Sequence, residues 1–317
     1  MTWLLVIARW ADIWASVLLA SVSVFEFVVL DPPVGHHPGF SVLTAPSLFR
    51  KLAWCFWTAG IISSPLWLWM ISASMTGVDL FAALSPEIWF TVLFSTQFGH
   101  LWAFRLAIAL FFCLMLIASR RKTFTALDCI PAALAAIHLV SLAWAGHASA
   151  GTGGYAPVHL VNDAVHLAVA AFWPGGLVPF AVLLLRSLKS RDAALLEVAT
   201  RLTRRFSMTS LLAVAVLSFT GLLNSVFLVG DVQALFTTPY GRLLLAKLVV
   251  FATMVCIGAW NLLVLKPQLA VEVQQETVAG QHVATRSLYR NVLCEIGLGA
   301  AVFLIVAILG ITSPPMH

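Results

Sequence analysis

Charge is what this chain lacks most. Only 10% of its 317 residues are Asp, Glu, Lys or Arg, and 61% are hydrophobic; an ordinary soluble domain carries about 25% and roughly 45–50%. No soluble fold of this length hides so much apolar surface, which excludes a globular enzyme and leaves a polytopic membrane protein. Cysteine is scarce as well: residues 55, 113, 129, 256 and 294 stand singly, with no C-x-x-C pair. An odd, dispersed set excludes a disulfide framework and a thiolate metal cluster, and reads as packing residues. Nucleotide fingerprints, a hydrolase nucleophile context and a dicarboxylate site are missing too, so no enzymatic activity is expected. Gly151-Thr152-Gly153-Gly154 is too short, and in the wrong context, for a phosphate loop. The start shows no basic n-region or small-residue cleavage site, and Arg9 and Asp12 already lie in an apolar run, so Met1 is expected to be retained. Methionines form no ladder of the kind thioether-bound Cu(I) would use. No internal repeat stands out, and no segment is long or polar enough for a second domain.

What is present is a series of apolar stretches. A spanning helix needs about 20 apolar residues in a row, and hydropathy read between Pro, Gly and charge clusters predicts eight such helices, near 4–30, 48–76, 98–119, 127–147, 157–185, 206–228, 241–264 and 291–312. The expected fold is therefore an all-α membrane bundle forming a single transmembrane domain over 1–317. Fourteen of the eighteen Lys and Arg residues fall in alternate loops: 50–51, 120–122, 186–205 and 266–290. Basic loops stay cytoplasmic, so both termini and the turns near 77–97, 147–157 and 229–240 are expected to be periplasmic. The net charge of +5 is then a topology signal, with contacts to anionic lipid, and no nucleic-acid partner is implied. The segment 77–97, with Ser85-Pro86-Glu87 before a short apolar run, reads as an interfacial or re-entrant piece able to cover the outward face. Most of the twelve tryptophans sit near helix ends, as an interfacial belt requires.

Titratable groups are expensive in a bilayer, and the stretch from Gly146 to His166 concentrates them. His159, Asp163 and His166 fall at i, i+4 and i+7, one helical face, with Asn162 beside them. The antiparallel pair of helices offers an outer tier of His147 and His159 and an inner tier of His138 and His166, about 10–13 Å deeper at 1.5 Å per residue. Imidazole ligates copper, zinc, iron and nickel, and a carboxylate either ligates or orients a histidine. The face of His159, Asp163 and His166 opposed by His147 is thus a candidate metal site; the plainer reading is hydrogen bonding between helices. His138 lies nine residues from His147, half a turn out of phase, and is open between a ligand and a structural histidine.

Other polar groups stay open in the same way. Asp12 either neutralises Arg9 at i, i+3 or joins the metal path from its outer half. His100, at the outer end of the third helix, is either an outer acceptor of metal or a solvated histidine. Glu26 and Glu295 read as exit ligands or interfacial carboxylates. Arg105, Arg242 and Lys247 are expected to snorkel, pair with carboxylates or hold a headgroup, and are left out of the ligand set because cations repel a metal ion. His36-His37 and Met316-His317 are further metal candidates of lower standing, in a loop and at the chain end.

Gly146-His147-Ala148, Asn162-Asp163 with His166, Trp173 with Gly175-Gly176-Leu177, Arg205-Phe206-Ser207, Thr220-Gly221, and Thr238-Pro239-Tyr240-Gly241-Arg242 with Lys247 resemble the copper-resistance protein D (CopD) family. The likeness runs from about 140 to the C-terminus, with Pro174 replacing the aliphatic residue usual between Trp and Gly-Gly. It implies a bacterial inner-membrane protein of copper uptake and resistance, with the family's histidines falling on His147, His159 and His166. The fused periplasmic copper-binding domain of some relatives is not seen, which implies delivery by a separate periplasmic chaperone similar to CopC. Two functions therefore stand after the sequence: copper import through the histidine tiers, or a redox protein holding haem b between axial His138 and His166.

Overall fold

The structure, a computed structural model, describes residues 2–30, 46–118, 129–147, 154–190, 193–274 and 283–315. His36, His37, Met316, His317 and most of the glycine-rich turn after His147 lie outside these residues. The described residues form helices α1 (Thr2–Val29), α2 (Pro46–Thr76), α3 (Pro86–Ser95), α4 (Gln97–Ala118), α5 (Cys129–Val140), α6 (Ala156–Ala170), α7 (Leu177–Lys189), α8 (Ala193–Leu228), α9 (Val232–Thr237), α10 (Pro239–Trp260), α11 (Lys266–Gln274) and α12 (Val283–Leu309).

Seven stretches are long and apolar enough to cross a membrane, among the described residues. The remaining expected span, 127–147, is a shorter apolar helix, Cys129–Ala145. Its 12 α-helical residues continue into a five-residue 3₁₀ turn, Ser141–Ala145. At 1.5 and about 2.0 Å per residue this reaches about 28 Å, close to the hydrocarbon thickness of about 30 Å. The tighter winding stretches a short sequence, which is why residue counting alone does not class it with the others. Helix α6 runs into α7 through a π turn, Ala171–Gly175, where Pro174 lacks the N–H that an α turn would use. A second π turn, Asn261–Leu265, joins α10 to α11. The segment 77–97 folds as a 3₁₀ turn, Ala82–Leu84, and α3, whose cap is Ser85 Oγ accepting from Ile88 N–H at 3.3 Å.

Helix α1 is the hub, packed against α2, α5, α12 and the first π turn. Its inward face, including Val17, Phe25 and Val29, is buried, whereas α8 and α10 leave Leu212, Phe219 and Val249 exposed, as lipid-facing helices do.

A repeated unit also emerges. Helix α2 ends at Gly77 and α8 at Gly230, both with φ of 71°, a left-handed stop that glycine accepts without strain. Asp79 then receives the N–H groups of Phe81 and Ala82, and Asp231 that of Gln233. Each is followed by a short helix, α3 or α9, and a threonine: Thr96 Oγ1 donates to Val92 O at 2.6 Å and accepts from Gly99 N–H at 2.9 Å. Thr238 Oγ1 donates to Ala234 O at 2.7 Å and accepts from Gly241 N–H at 3.0 Å. A Cβ added to Gly99 would lie 2.5 Å from Leu93 Cα, and one added to Gly241 2.5 Å from Leu235 Cα. In both copies a basic residue stands nine positions after the threonine, Arg105 or Lys247. The expectation of no internal repeat is thereby corrected. The copies share Leu-Phe-[Ser/Thr]-Thr-x-[Phe/Tyr]-Gly-x-Leu-x-x-x-[Arg/Lys]-Leu, residues 93–106 and 235–248, a pattern held by capping geometry at a few positions and diluted by apolar residues elsewhere.

Candidate metal site

The face predicted on α6 forms, and α8 supplies its complement. Thr220, Asn224 and Phe227 are spaced i, i+4, i+7 on the antiparallel helix and meet His166, Asn162 with Asp163, and His159 in that order. The His159 ring stacks on Phe227 with centroids 4.8 Å apart. Asn162 donates to Thr220 O at 2.9 Å and to Asn224 Oδ1 at 2.7 Å, and Asn224 donates to Asp163 Oδ1 at 3.1 Å.

The hydrogen bonds of His166 fix its tautomer. Thr220 has one hydroxyl proton, and it goes to Val216 O at 2.7 Å. Towards His166 Nδ1, 2.8 Å away, Thr220 Oγ1 is therefore an acceptor. Nδ1 carries the proton, and the Nε2 lone pair is the one left for a metal, with Thr220 as the outer group that orients the ring. Gly221 stands beside the same ring, an added Cβ lying 3.5 Å from its Cε1.

Asp163 faces the Gly146-His147 turn: its Oδ2 lies 3.8 Å from where a Cβ on Gly146 would stand. His147 donates from Nε2 to Leu309 O at 3.1 Å, and its ring packs edge-on against Tyr240 with centroids 6.1 Å apart. Lys247 stands two turns along α10 from Tyr240. Arg9 is tied down, donating to Gly310 O at 3.3 Å and lying over the Trp67 ring at 5.1 Å. Asp163 thus lies against the Gly146-His147 turn, with His166 further along α6. No three His, Cys, Asp or Glu side chains converge to hold a metal ion among the described residues, so the two histidine tiers are not a preformed coordination sphere.

Other predicted ligands sit elsewhere. Asp12 pairs with Arg105, not with Arg9: Oδ2 accepts from the buried guanidinium at 2.8 Å. Arg105 also donates to His138 O at 2.7 Å and to the hydroxyls of Ser141 and Ser16 at 3.2 Å. Its remaining short contact is with His138 Nε2 at 3.3 Å. A guanidinium only donates, so Nε2 accepts and Nδ1 bears the proton. His100 is exposed, its Nε2 donating to Phe94 O at 3.0 Å. Glu295 is buried and accepts from Asn261 at 2.7 Å, which in turn accepts from Asn291 at 2.7 Å. A haem held by His138 and His166 does not fit this arrangement. The His138 nitrogen that could ligate iron is covered by Arg105, and the cavity of about 350 Å³ beside it is lined by α1, α2, α3, α4 and His138 but not by His166.

Sequence reasoning missed Asn224 and left out Lys247. The signal for the first was present: a second i, i+4, i+7 series of hydrogen-bonding and aromatic groups inside an apolar helix.

Comparison with known proteins gives a consistent picture. Residues 1–157 match the family described as "Copper resistance protein D-like, N-terminal domain", and residues 200–309 the family described as "Copper resistance protein D". The chain is 30% identical over 270 residues to Copper resistance protein D of Pseudomonas syringae pv. tomato, covering 85% of each protein. It is 30% identical over 244 residues to Inner membrane protein YebZ of Escherichia coli K12, covering 77% of this chain and 78% of that one. Identity to Copper transport protein CutJ of Bacillus subtilis is 29% over 238 residues, 74% of this chain but 40% of the longer relative. No solved structure matches the chain.

Proposed function

The chain belongs to the copper resistance protein D family and is a multi-pass inner-membrane protein with a copper-related function; on that premise we propose that it imports copper from the periplasm, with Asp163, His166 and His147 as the receiving groups. The observation that carries this reading is the approach of Asp163 to the Gly146-His147 turn, with the Thr220 hydroxyl on His166 Nδ1 leaving Nε2 for a metal. Copper has to draw these groups together. Asp163 and His166 are each held by one side-chain hydrogen bond, and bonds between membrane helices contribute only about 0.6–1.7 kcal/mol, so a metal–ligand bond readily displaces them. His159, stacked under Phe227, stands at the outer rim of the same face. Asp12 is a structural counter-ion to Arg105 in this account, and His100 an exposed outer acceptor.

Alternate basic loops support eight crossings with both termini periplasmic, the Cys129–Ala145 segment making the eighth. The Gly146-His147 turn then faces the periplasm, where a soluble chaperone similar to CopC supplies copper. Copper is cargo here, and no chemistry is performed on it. Cell-associated copper is expected to rise when the protein is expressed and to fall back with Asp163→Ala. A fall in copper with the wild type, or a reporter after His317 found in the cytoplasm, overturns the direction.

A further inference from the structure

Glu295 lies in the middle of α12 and is 2% exposed; among the described residues the one hydrogen-bond partner of its side chain is an amide. Asn291 donates to Asn261 Oδ1 at 2.7 Å, and Asn261 donates to Glu295 Oε1 at 2.7 Å. The two amides thus orient the carboxyl group and engage only one of its oxygens. Oε2 stands 3.9 Å from where a Cβ on Gly258 would lie. Gly258 and Glu295 line the same cavity of about 140 Å³, room for an ion with a few waters. An interfacial carboxylate would be open to water, and a structural one would be paired as Asp12 is with Arg105. Glu295 is neither, and a buried carboxyl group without a cation inside a span marks an ion path.

The cavity continues the receiving site. Trp173 and Val214 on its wall stand seven residues after His166 and six before Thr220. At 1.5 Å per residue both lie about 10 Å further along the same two helices, toward the side of the basic loops. Both π turns reach this cavity, the first through Trp173 and the second through Asn261, which holds Glu295; such single turns recur at functional sites. Thr203 and Ser207 of α8 line it too. Their hydroxyl protons go to Ala199 O at 2.7 Å and Thr203 O at 2.8 Å, which leaves both oxygens with acceptor lone pairs.

We propose that Glu295 is a second copper-binding group, a release site between the receiving site and the cytoplasm. The inference rests on the copper reading above and deepens it. The donors here are oxygens, which suit copper less well than imidazole, and a site of passage has to bind well enough to be entered and weakly enough to be left. One ion per chain therefore stays at equilibrium, on the histidine side, and the inner site is filled only in passage.

The test is copper entry into proteoliposomes holding the full chain, with Cu(I) kept reduced by ascorbate, read beside the copper that the same variants retain in equilibrium dialysis. Glu295→Gln keeps an acceptor for Asn261 and removes the charge. Its initial rate of entry is expected to fall at least about tenfold, the low end of what losing a metal-site group costs, while it still retains one copper per chain. Glu295→Asp keeps a carboxylate and is expected to carry copper faster than Glu295→Gln. Entry unchanged in Glu295→Gln, or slowed equally in both variants, overturns this inference alone. So does loss of the retained copper in Glu295→Gln, which would mark a residue needed by the fold or by the receiving site. A wild type that moves no copper overturns the import reading, and this inference with it.

Discussion

Removing one member of the Asp12–Arg105 pair should unfold this protein more readily than removing both. The guanidinium is fully buried and makes contacts to Asp12 at 2.8 Å, His138 O at 2.7 Å, and Ser16 and Ser141 at 3.2 Å. Asp12→Asn keeps the shape of the site and one acceptor but leaves a net positive charge among α1, α4 and α5. Breaking a buried pair in this way costs about 3–5 kcal/mol, and Arg105→Met, which strands the carboxylate, should cost a similar amount. The double variant leaves neither partner of the pair stranded, so its loss should be smaller than that of either single, short of their sum by at least about 3 kcal/mol and far outside the roughly 0.3–0.5 kcal/mol of independent sites. Unfolding by sodium dodecyl sulfate in mixed micelles, followed by tryptophan fluorescence, measures all four corners of the cycle. Because the pair is structural, refolded Asp12→Asn should bind copper with wild-type affinity. Additive losses would refute the pairing, and a Kd raised about tenfold by Asp12→Asn, the low end of what losing a metal-site group does, would refute its exclusion from the copper path.

Thr220→Val should weaken copper binding by about 10–100-fold, the usual effect of losing the group that orients a ligating histidine, while Thr220→Ser should bind like wild type; competition titration separates the two. Gly99→Ala and Gly241→Ala should each lower stability by about 1–3 kcal/mol through overpacking against the short helix before them. Thermal unfolding in detergent should show losses of similar size in both, and a large loss in one with none in the other would argue against equivalent units. The absorption spectrum of the purified protein should lack a stoichiometric Soret band, and finding one would reverse the judgement that His138 and His166 do not fit a haem.

The all-helical membrane character and the α6 face were legible because both rest on local rules: apolar length, and the 3.6-residue period that aligns His159, Asp163 and His166. Two features resisted for physical reasons. Cys129–Ala145 lies within the span expected at 127–147, but its 3₁₀ end was not foreseen, since hydropathy registers apolar length and not winding. The partner of Asp12 is 93 residues away in Arg105, and pairing across helices depends on packing, whereas Arg9 at i−3 is what sequence proximity suggests. His159, Asp163 and His166 share a face in sequence but each has a separate neighbour in space, since α8 carries a matching series that engages each of them.

The central claim is that one copper ion is drawn between Asp163, His166 and His147. Equilibrium dialysis of the purified chain against copper, with metal counted per chain, tests it most directly. Wild type should retain one copper, and the His147→Ala, His166→Ala double variant, folded to the same helical content, should retain none at the same free metal concentration. Equal copper in the two proteins would contradict the account.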